Sequence, residues 1–395
     1  MRHIPKNFLP AAVVSVLAAS MGFLIAPIES LYIQHLDHNN FVTGSIFALG
    51  SILMTVLSLW FGHLADNGHR HKLIFLGLFA AVIYPFLYAN VINAFQYAGI
   101  KVFWAMAGIA TGPLITAYIQ EGLSNVDKKG KWFGYLYATS SIVGALAHFM
   151  GGYLGQHYGL REDYIVIGFI AIFNLIFAAI FLHPIKSIKH KKASQRMILS
   201  GFKYFLTHKP LTFYLVMNMA IDLNFTVKYF LWPLAILQVS HKVIYSGDIF
   251  ATMGVVAFIV LVTSHKWADQ YSPYKTLIFS VAMLAIGGLV FSLTNSVYVL
   301  WASSAVFAIG ESSSGPPQGI LMTDNIPGSL RGRILAIDNS IDNITYWPSL
   351  LLAGSLLTII SAQKVFLLYV LISVVSLIYG AIIYKKHLKQ PLPTF

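Results

Sequence analysis

Lys129-Gly130-Lys131-Trp132-Phe133-Gly134 opens an apolar run that ends at Gly151-Gly152, and Leu330-Arg331-Gly332-Arg333 opens another that ends at Ala353-Gly354. The two stretches superpose at an offset of 202 residues, glycine on glycine and base on base. Two further pairs agree at nearly the same offset. Gly62-His63-Leu64-Ala65-Asp66 with Lys72 matches His265-Lys266-Trp267-Ala268-Asp269 with Lys275, and Gly112-Pro113 matches Gly315-Pro316. The chain is therefore two similar halves. In a membrane protein, such a repeat points to a transporter whose site lies between the halves.

Composition places the chain in a bilayer. Of its 395 residues 57% are hydrophobic and 10% charged, against about 25% charged in a soluble domain. Twelve apolar segments, each near the ~20 residues a spanning helix needs, are read at 9-33, 41-64, 73-93, 98-123, 132-157, 163-184, 211-239, 244-268, 275-294, 297-322, 334-360 and 363-385. With both termini on one side, that side and its loops hold 21 of the 26 Lys and Arg. The opposite face holds Lys101, Arg161, Lys242 and Lys364, and Lys228 falls within a span. This asymmetry makes the basic face cytoplasmic, with both termini inside. It also accounts for the net charge of +12 without a nucleic-acid partner. A cleaved signal is the alternative for residues 1-30, where Arg2 and Lys6 precede an apolar run, but its removal would leave the first half one span short.

The predicted fold is an all-α membrane protein of twelve spans in two pseudo-symmetric six-helix bundles. The first bundle covers residues 1-185 and the second 211-395. Residues 186-210 form a basic linker containing Lys186, Lys189, Lys191, Lys192 and Arg196, followed by Met197, Ile198, Phe202, Phe205 and Leu206 at helical spacing. That pattern reads either as an amphipathic helix on an anionic leaflet or as a flexible tether.

Twelve spans, parallel halves and the loop after the second span together resemble the major facilitator superfamily over nearly the whole chain. The most specific match is Gly62-His63-Leu64-Ala65-Asp66-Asn67-Gly68-His69-Arg70-His71-Lys72, similar to the family's cytoplasmic gate motif Gly-x-Leu-Ala-Asp-x-x-Gly-Arg-Lys/Arg-x. The second glycine, Gly68, falls one place early. The resemblance implies that Asp66 sits against the N-terminal end of the eleventh span and that Arg70 pairs with Glu121, contacts that exist only while the halves are closed inside. Gly62, Lys72 and the second-copy Asp269 complete the expected gate. Two departures stop the resemblance short of a subgroup. Trp104 stands where many proton-coupled members carry arginine, and Ala147-His148 stand where drug antiporters carry Gly-Pro.

A charge near the bilayer centre costs at least ~2.5 to 3.5 kcal/mol, so deep carboxylates mark function. Asp222 lies near the middle of the seventh span, on a stripe with Asn218, Thr226 and Tyr229. Glu311 lies at similar depth in the tenth, and Asp338 and Asp342 share one face of the eleventh with Tyr346. Glu29 stands near the outer end of the first. Asp338 reads equally as a helix-start charge and Glu29 as a vestibule residue. Lys228 follows Asp222 by six residues, about 120° around an ideal helix, so it pairs with Asp222 only through a distortion and otherwise faces a neighbouring helix or snorkels outward. His148 reads as a helix-packing residue or as a pH-sensitive gate. Trp232, Tyr346 and Trp347 are expected to line the cavity. Asp342 overlays Ser140 and Asp338 overlays Leu136, so the deep acids are expected to concentrate in the second half.

The expected function is secondary active transport of a small molecule by alternating access and coupled to protons. The expected cavity lies among spans 1, 4, 5, 7, 8, 10 and 11. A cavity with acidic groups and aromatics suits drug/proton efflux; the alternative is a proton-coupled symporter or facilitator for a sugar, organic acid or amino acid, in which Lys228 and His148 engage an anion. A non-transporting receptor or assembly partner is the remote alternative. No enzymatic activity, cofactor or metal is expected, since His63, His69 and His71 fit no metal-site spacing and no phosphate loop occurs. The partners are substrate, protons and lipid, for a monomer in a bacterial cytoplasmic (inner) membrane.

Overall fold

The computed structural model describes residues 8–123, 129–184, 207–270, 272–326 and 331–388. The expected linker, apart from its last residues, lies outside them. So do the side chains of Asp66 and Asp269 and those of the basic turns at 129–131 and 331–333.

Helices account for nearly everything described. The first half contains α1 (Phe8–Ile25), α2 (Glu29–Asp37), α3 (Asn40–Leu64), α4 (Arg70–Tyr88), α5 (Ala94–Ile109), α6 (Ile115–Gly122), α7 (Lys129–His157) and α8 (Glu162–Phe181). The second contains α9 (Lys209–Ser240), α10 (Ile244–Gln270), α11 (Pro273–Leu293), α12 (Val297–Ser313), α13 (Gly315–Asp324), α14 (Arg331–Leu356) and α15 (Ala362–Ile383). Three spans are broken rods: α1–α2 is the first, α5–α6 the fourth and α12–α13 the tenth. Their breaks fall where proline withholds a backbone N–H: Pro27, Pro113 and Pro316. The Gly112-Pro113 and Gly315-Pro316 repeats thus mark equivalent interruptions in the fourth and tenth spans.

Among the described residues, nine helices are individually long and apolar enough to cross a membrane. The other three rods, α7, α12–α13 and α14, complete the twelve. They fall short because polar residues dilute the apolar ones, Thr139, Ser140, Ser141 and His148 in α7 and Asp338, Asn339, Asp342 and Asn343 in α14, while Ser314 divides the tenth span.

Each half has its own apolar packing. Tyr32, Tyr88, Tyr97 and Tyr164 centre one cluster of the first half, with Phe61, Ile74 and Ile115 in another toward the basic face. In the second half Trp232 is fully buried, stacked on Phe291 at 4.0 Å between ring centroids and edged by Phe307 and Phe366. Trp232 therefore belongs to the packing of its own bundle and does not line a cavity. Trp347, 37% exposed and about 100° around α14 from Tyr346, lines neither of the two cavities described below.

The halves meet where α7 packs along α10 and α3 along α14. Both crossings close glycine against glycine at the face opposite the basic loops. A methyl group built on Gly44 would lie 2.6 Å from the Gly354 Cα, and one on Gly152 would lie 2.5 Å from the Gly247 Cα. Small residues let the backbones touch, as membrane helix contacts require. The same face carries hydrogen bonds between the halves. Asn40 Nδ2 donates to the Leu357 carbonyl at 2.8 Å, Ser246 Oγ to the Pro27 carbonyl at 3.0 Å, and the Val243 N–H to Gln156 Oε1 at 2.7 Å. The molecule is sealed at this end.

Candidate functional site

The gate motif folds as a kinked turn, Ala65–His69, between α3 and α4. Gly68 has φ 92°, a conformation that a side chain disfavours, so the early glycine meets a backbone requirement of this turn. Arg70 Nη1 lies 2.5 Å from Glu121 Oε1. Both residues belong to the first half, and the pair forms in a molecule sealed at the opposite face. It braces α4 to α6 within one bundle, so the expected pairing is present without the closed basic face that the resemblance ties it to. Lys72 is exposed, and Gly62 has open space around it.

Deeper in, each half contains one buried Lys–Glu ion pair among the described residues. Lys228, 2% exposed on α9, donates to both oxygens of Glu311 on α12, at 2.8 and 2.7 Å. It turns away from Asp222 toward the neighbouring helix, so α9 needs no distortion. Lys101, 1% exposed on α5, donates to Glu29 Oε1 at 2.5 Å, and Tyr97 Oη donates to the same oxygen at 2.9 Å. The Lys101 ammonium also sits 4.3 Å from the Trp104 ring centroid, a cation–π contact. Lys101 is therefore a membrane-embedded residue and not an outer-face loop charge. Sequence reading missed Lys101 and Tyr97 as site residues because the fourth span was started at 98. It starts at Ala94, two turns before Lys101.

These pairs line two cavities. One of about 290 Å³ is bounded by α1, α7, α9, α10 and α12 and includes His148, Lys228 and Glu311. The other, about 480 Å³, includes Glu29, Lys101, Trp104 and Tyr346. Phe23, Phe225 and Tyr229 border both. The second span joins the expected lining through Phe47, Ser51 and Met54. His148 is 5% exposed, and among the described residues neither ring nitrogen has a hydrogen-bond partner. Phe23 and Phe250 flank its ring at 5.0 and 5.4 Å.

A third cluster joins α9 to α14. Asn218 Nδ2 donates to Asp222 Oδ2 at 2.5 Å and reaches Asp342 Oδ1 at 3.4 Å, while its own oxygen accepts from Gln318 Nε2 at 2.6 Å. One amide therefore links two carboxylates from different spans, and α13 holds that amide in place. Asp338, 8% exposed, accepts a 2.8 Å hydrogen bond from Tyr214 Oη. Asp222 and Asp342 keep partial solvent exposure although they lie in mid-helix.

Twelve spanning rods in two bundles, with paired and clustered ionisable groups between them, define an integral multi-pass membrane transporter for a small molecule. The chain belongs to the Major Facilitator Superfamily, whose family model matches residues 11–232 and 217–394. It is 22% identical over 371 residues to an uncharacterized MFS-type transporter of Methanocaldococcus jannaschii, covering 93% of this chain and 94% of that one. It is 22% identical over 339 residues to the multidrug resistance protein MdtG of Proteus mirabilis, covering 82% of each. A crystal structure of a mutant of the nucleoside transporter NupG superposes with a TM-score of 0.80 at 13% identity, over 96% of this chain and 100% of that one.

Proposed function

We propose that the protein exports amphipathic organic molecules in exchange for protons, by alternating access, as a monomer in a bacterial cytoplasmic membrane. The basic face is cytoplasmic, both termini lie inside, and residues 186-210 tether the bundles 1-185 and 211-395 there. The observation that carries this reading is the link from Asp222 through Asn218 to Asp342. Two carboxylates on one amide, in mid-helix and still wetted, form a node that can take up and release a proton. They sit on α9 and α14, which belong to the half that must rock against the first. The aromatic border Phe23, Phe225 and Tyr229 suits an apolar substrate body. The multidrug resistance relative supports export of such compounds.

The test is substrate-driven proton flux in reconstituted vesicles carrying an imposed pH gradient. A panel of fluorescent amphipathic compounds should dissipate the gradient with antiport polarity. Asp222→Asn combined with Asp342→Asn should lower coupled flux at least a hundredfold. Unchanged flux in that variant removes the node from the mechanism, and flux of opposite polarity makes the protein a symporter.

A further inference from the structure

The cavity beside Lys228 and Glu311 contains an unusual combination: a closed ion pair and, on the facing wall, an imidazole with nothing to bond. A buried polar group without a partner is costly, and His148 has two such atoms pointing into apolar surroundings. A ligand that reaches His148 must pass aromatic walls formed by Phe23, Tyr229 and Phe250. Its body is therefore flat and apolar, and its size is limited by a cavity of about 290 Å³.

The charge of that ligand follows from the ion pair. Lys228 is 2% exposed and spends two of its three N–H donors on Glu311, so the ammonium has no water to fall back on, while the Glu311 side chain keeps only 19% exposure. An anion that draws Lys228 away leaves Glu311 uncompensated, and a cation that draws Glu311 away leaves Lys228 uncompensated. A ligand with both signs replaces each lost contact with another, and no net charge enters the cavity. We propose that this cavity is the binding subsite for a zwitterion with an aromatic or similarly apolar body: its carboxylate accepts from Lys228 and His148, and its ammonium donates to Glu311. His148 is then a specificity-determining residue that reads the carboxylate.

The inference rests on the transport reading above and names the substrate class of the same protein, but equilibrium binding to purified protein needs no proton gradient. Failure of coupling leaves this result intact, and failure of binding leaves the coupling result intact. The probes are phenylalanine, 3-phenylpropionate and phenethylamine, which share a ring and carry both charges, the negative one or the positive one. Binding is measured by calorimetry on detergent-purified full-length protein at pH 7.5. Phenylalanine should bind at least tenfold more tightly than either analogue. His148→Ala should weaken phenylalanine and phenylpropionate at least fivefold and leave phenethylamine unchanged. Glu311→Gln should weaken phenylalanine while strengthening phenylpropionate, because Lys228 is freed; a merely damaged fold would weaken both. Equal or tighter binding of either single-charge analogue overturns the proposal, as does absence of phenylalanine binding or indifference of all three probes to His148→Ala.

Discussion

Glu29–Lys101 and Lys228–Glu311 are the same device in opposite chain order. The first half places the acid on its first span and the base on its fourth, whereas the second places the base on its seventh and the acid on its tenth. Those are equivalent helices in the repeat, so each bundle is braced across the same two rods. The surroundings differ. Glu29 and Lys101 are packed among Tyr97, Tyr88 and Tyr164, with Tyr97 stacked on Tyr88 at 3.9 Å, close to the sealed face. Lys228 and Glu311 lie deeper, beside the unpartnered His148. The first pair is held by an added tyrosine partner near the seal, and the second is left with something to exchange. The deep acids expected to concentrate in the second half, Asp222, Glu311, Asp338 and Asp342, do belong to it. The pairs are symmetric; the Asp222–Asn218–Asp342 link is not.

This contrast can be broken by substitution, beginning with Lys228→Met. It leaves Glu311 without a counter-charge and should abolish coupled flux. It should also destabilise the protein by about 3 kcal/mol, the lower end for a broken buried pair because the Glu311 side chain keeps 19% exposure. Lys101→Met strands Glu29 in a drier site, so it should cost about 3 to 5 kcal/mol in thermal or chemical unfolding while any folded fraction keeps phenylalanine binding. If Lys101→Met abolished binding and Lys228→Met spared it, the two roles would be reversed. Tyr97→Phe removes one hydrogen bond to Glu29 and should cost about 1 to 2 kcal/mol. Gly354→Ala forces the outer crossing apart and should raise labelling of cysteines engineered at the sealed face severalfold. Arg70→Ala should have the smallest effect on access. Its brace lies inside one bundle, so the same labelling should change less than twofold although the melting temperature falls.

The rods were legible in the sequence because a bilayer imposes length and hydropathy on every span. The seventh was read at 211-239 and runs Lys209–Ser240. The repeat at 130 and 332 was legible because basic turns and glycines leave a mark independent of packing. Rotation about each axis was less legible. Trp347 and Tyr346 are neighbours in sequence, yet only Tyr346 faces the cavity, and Trp232 reads as a site aromatic although Phe291, Phe307 and Phe366 enclose it. Partners from distant spans were hidden for the same reason. Lys228 lies six residues from Asp222 but bonds Glu311, 83 residues away. The lone amide Asn218, named for its stripe, gains its meaning only when α14 brings Asp342 beside it.

The central claim is that proton occupancy of the Asp222–Asp342 node sets which face is sealed. The chain has no cysteine, so spin labels at Phe41→Cys and Ile359→Cys, both exposed beside the α3–α14 crossing, report the outer seal directly. Distances measured by double electron–electron resonance at pH 6 and pH 8 in nanodiscs should lengthen at the higher pH, as ionised carboxylates repel and the seal opens. In the Asp222→Asn, Asp342→Asn background they should stay at the short, sealed value at both pH values. A neutralised variant that still opens with pH as the parent does would contradict the account.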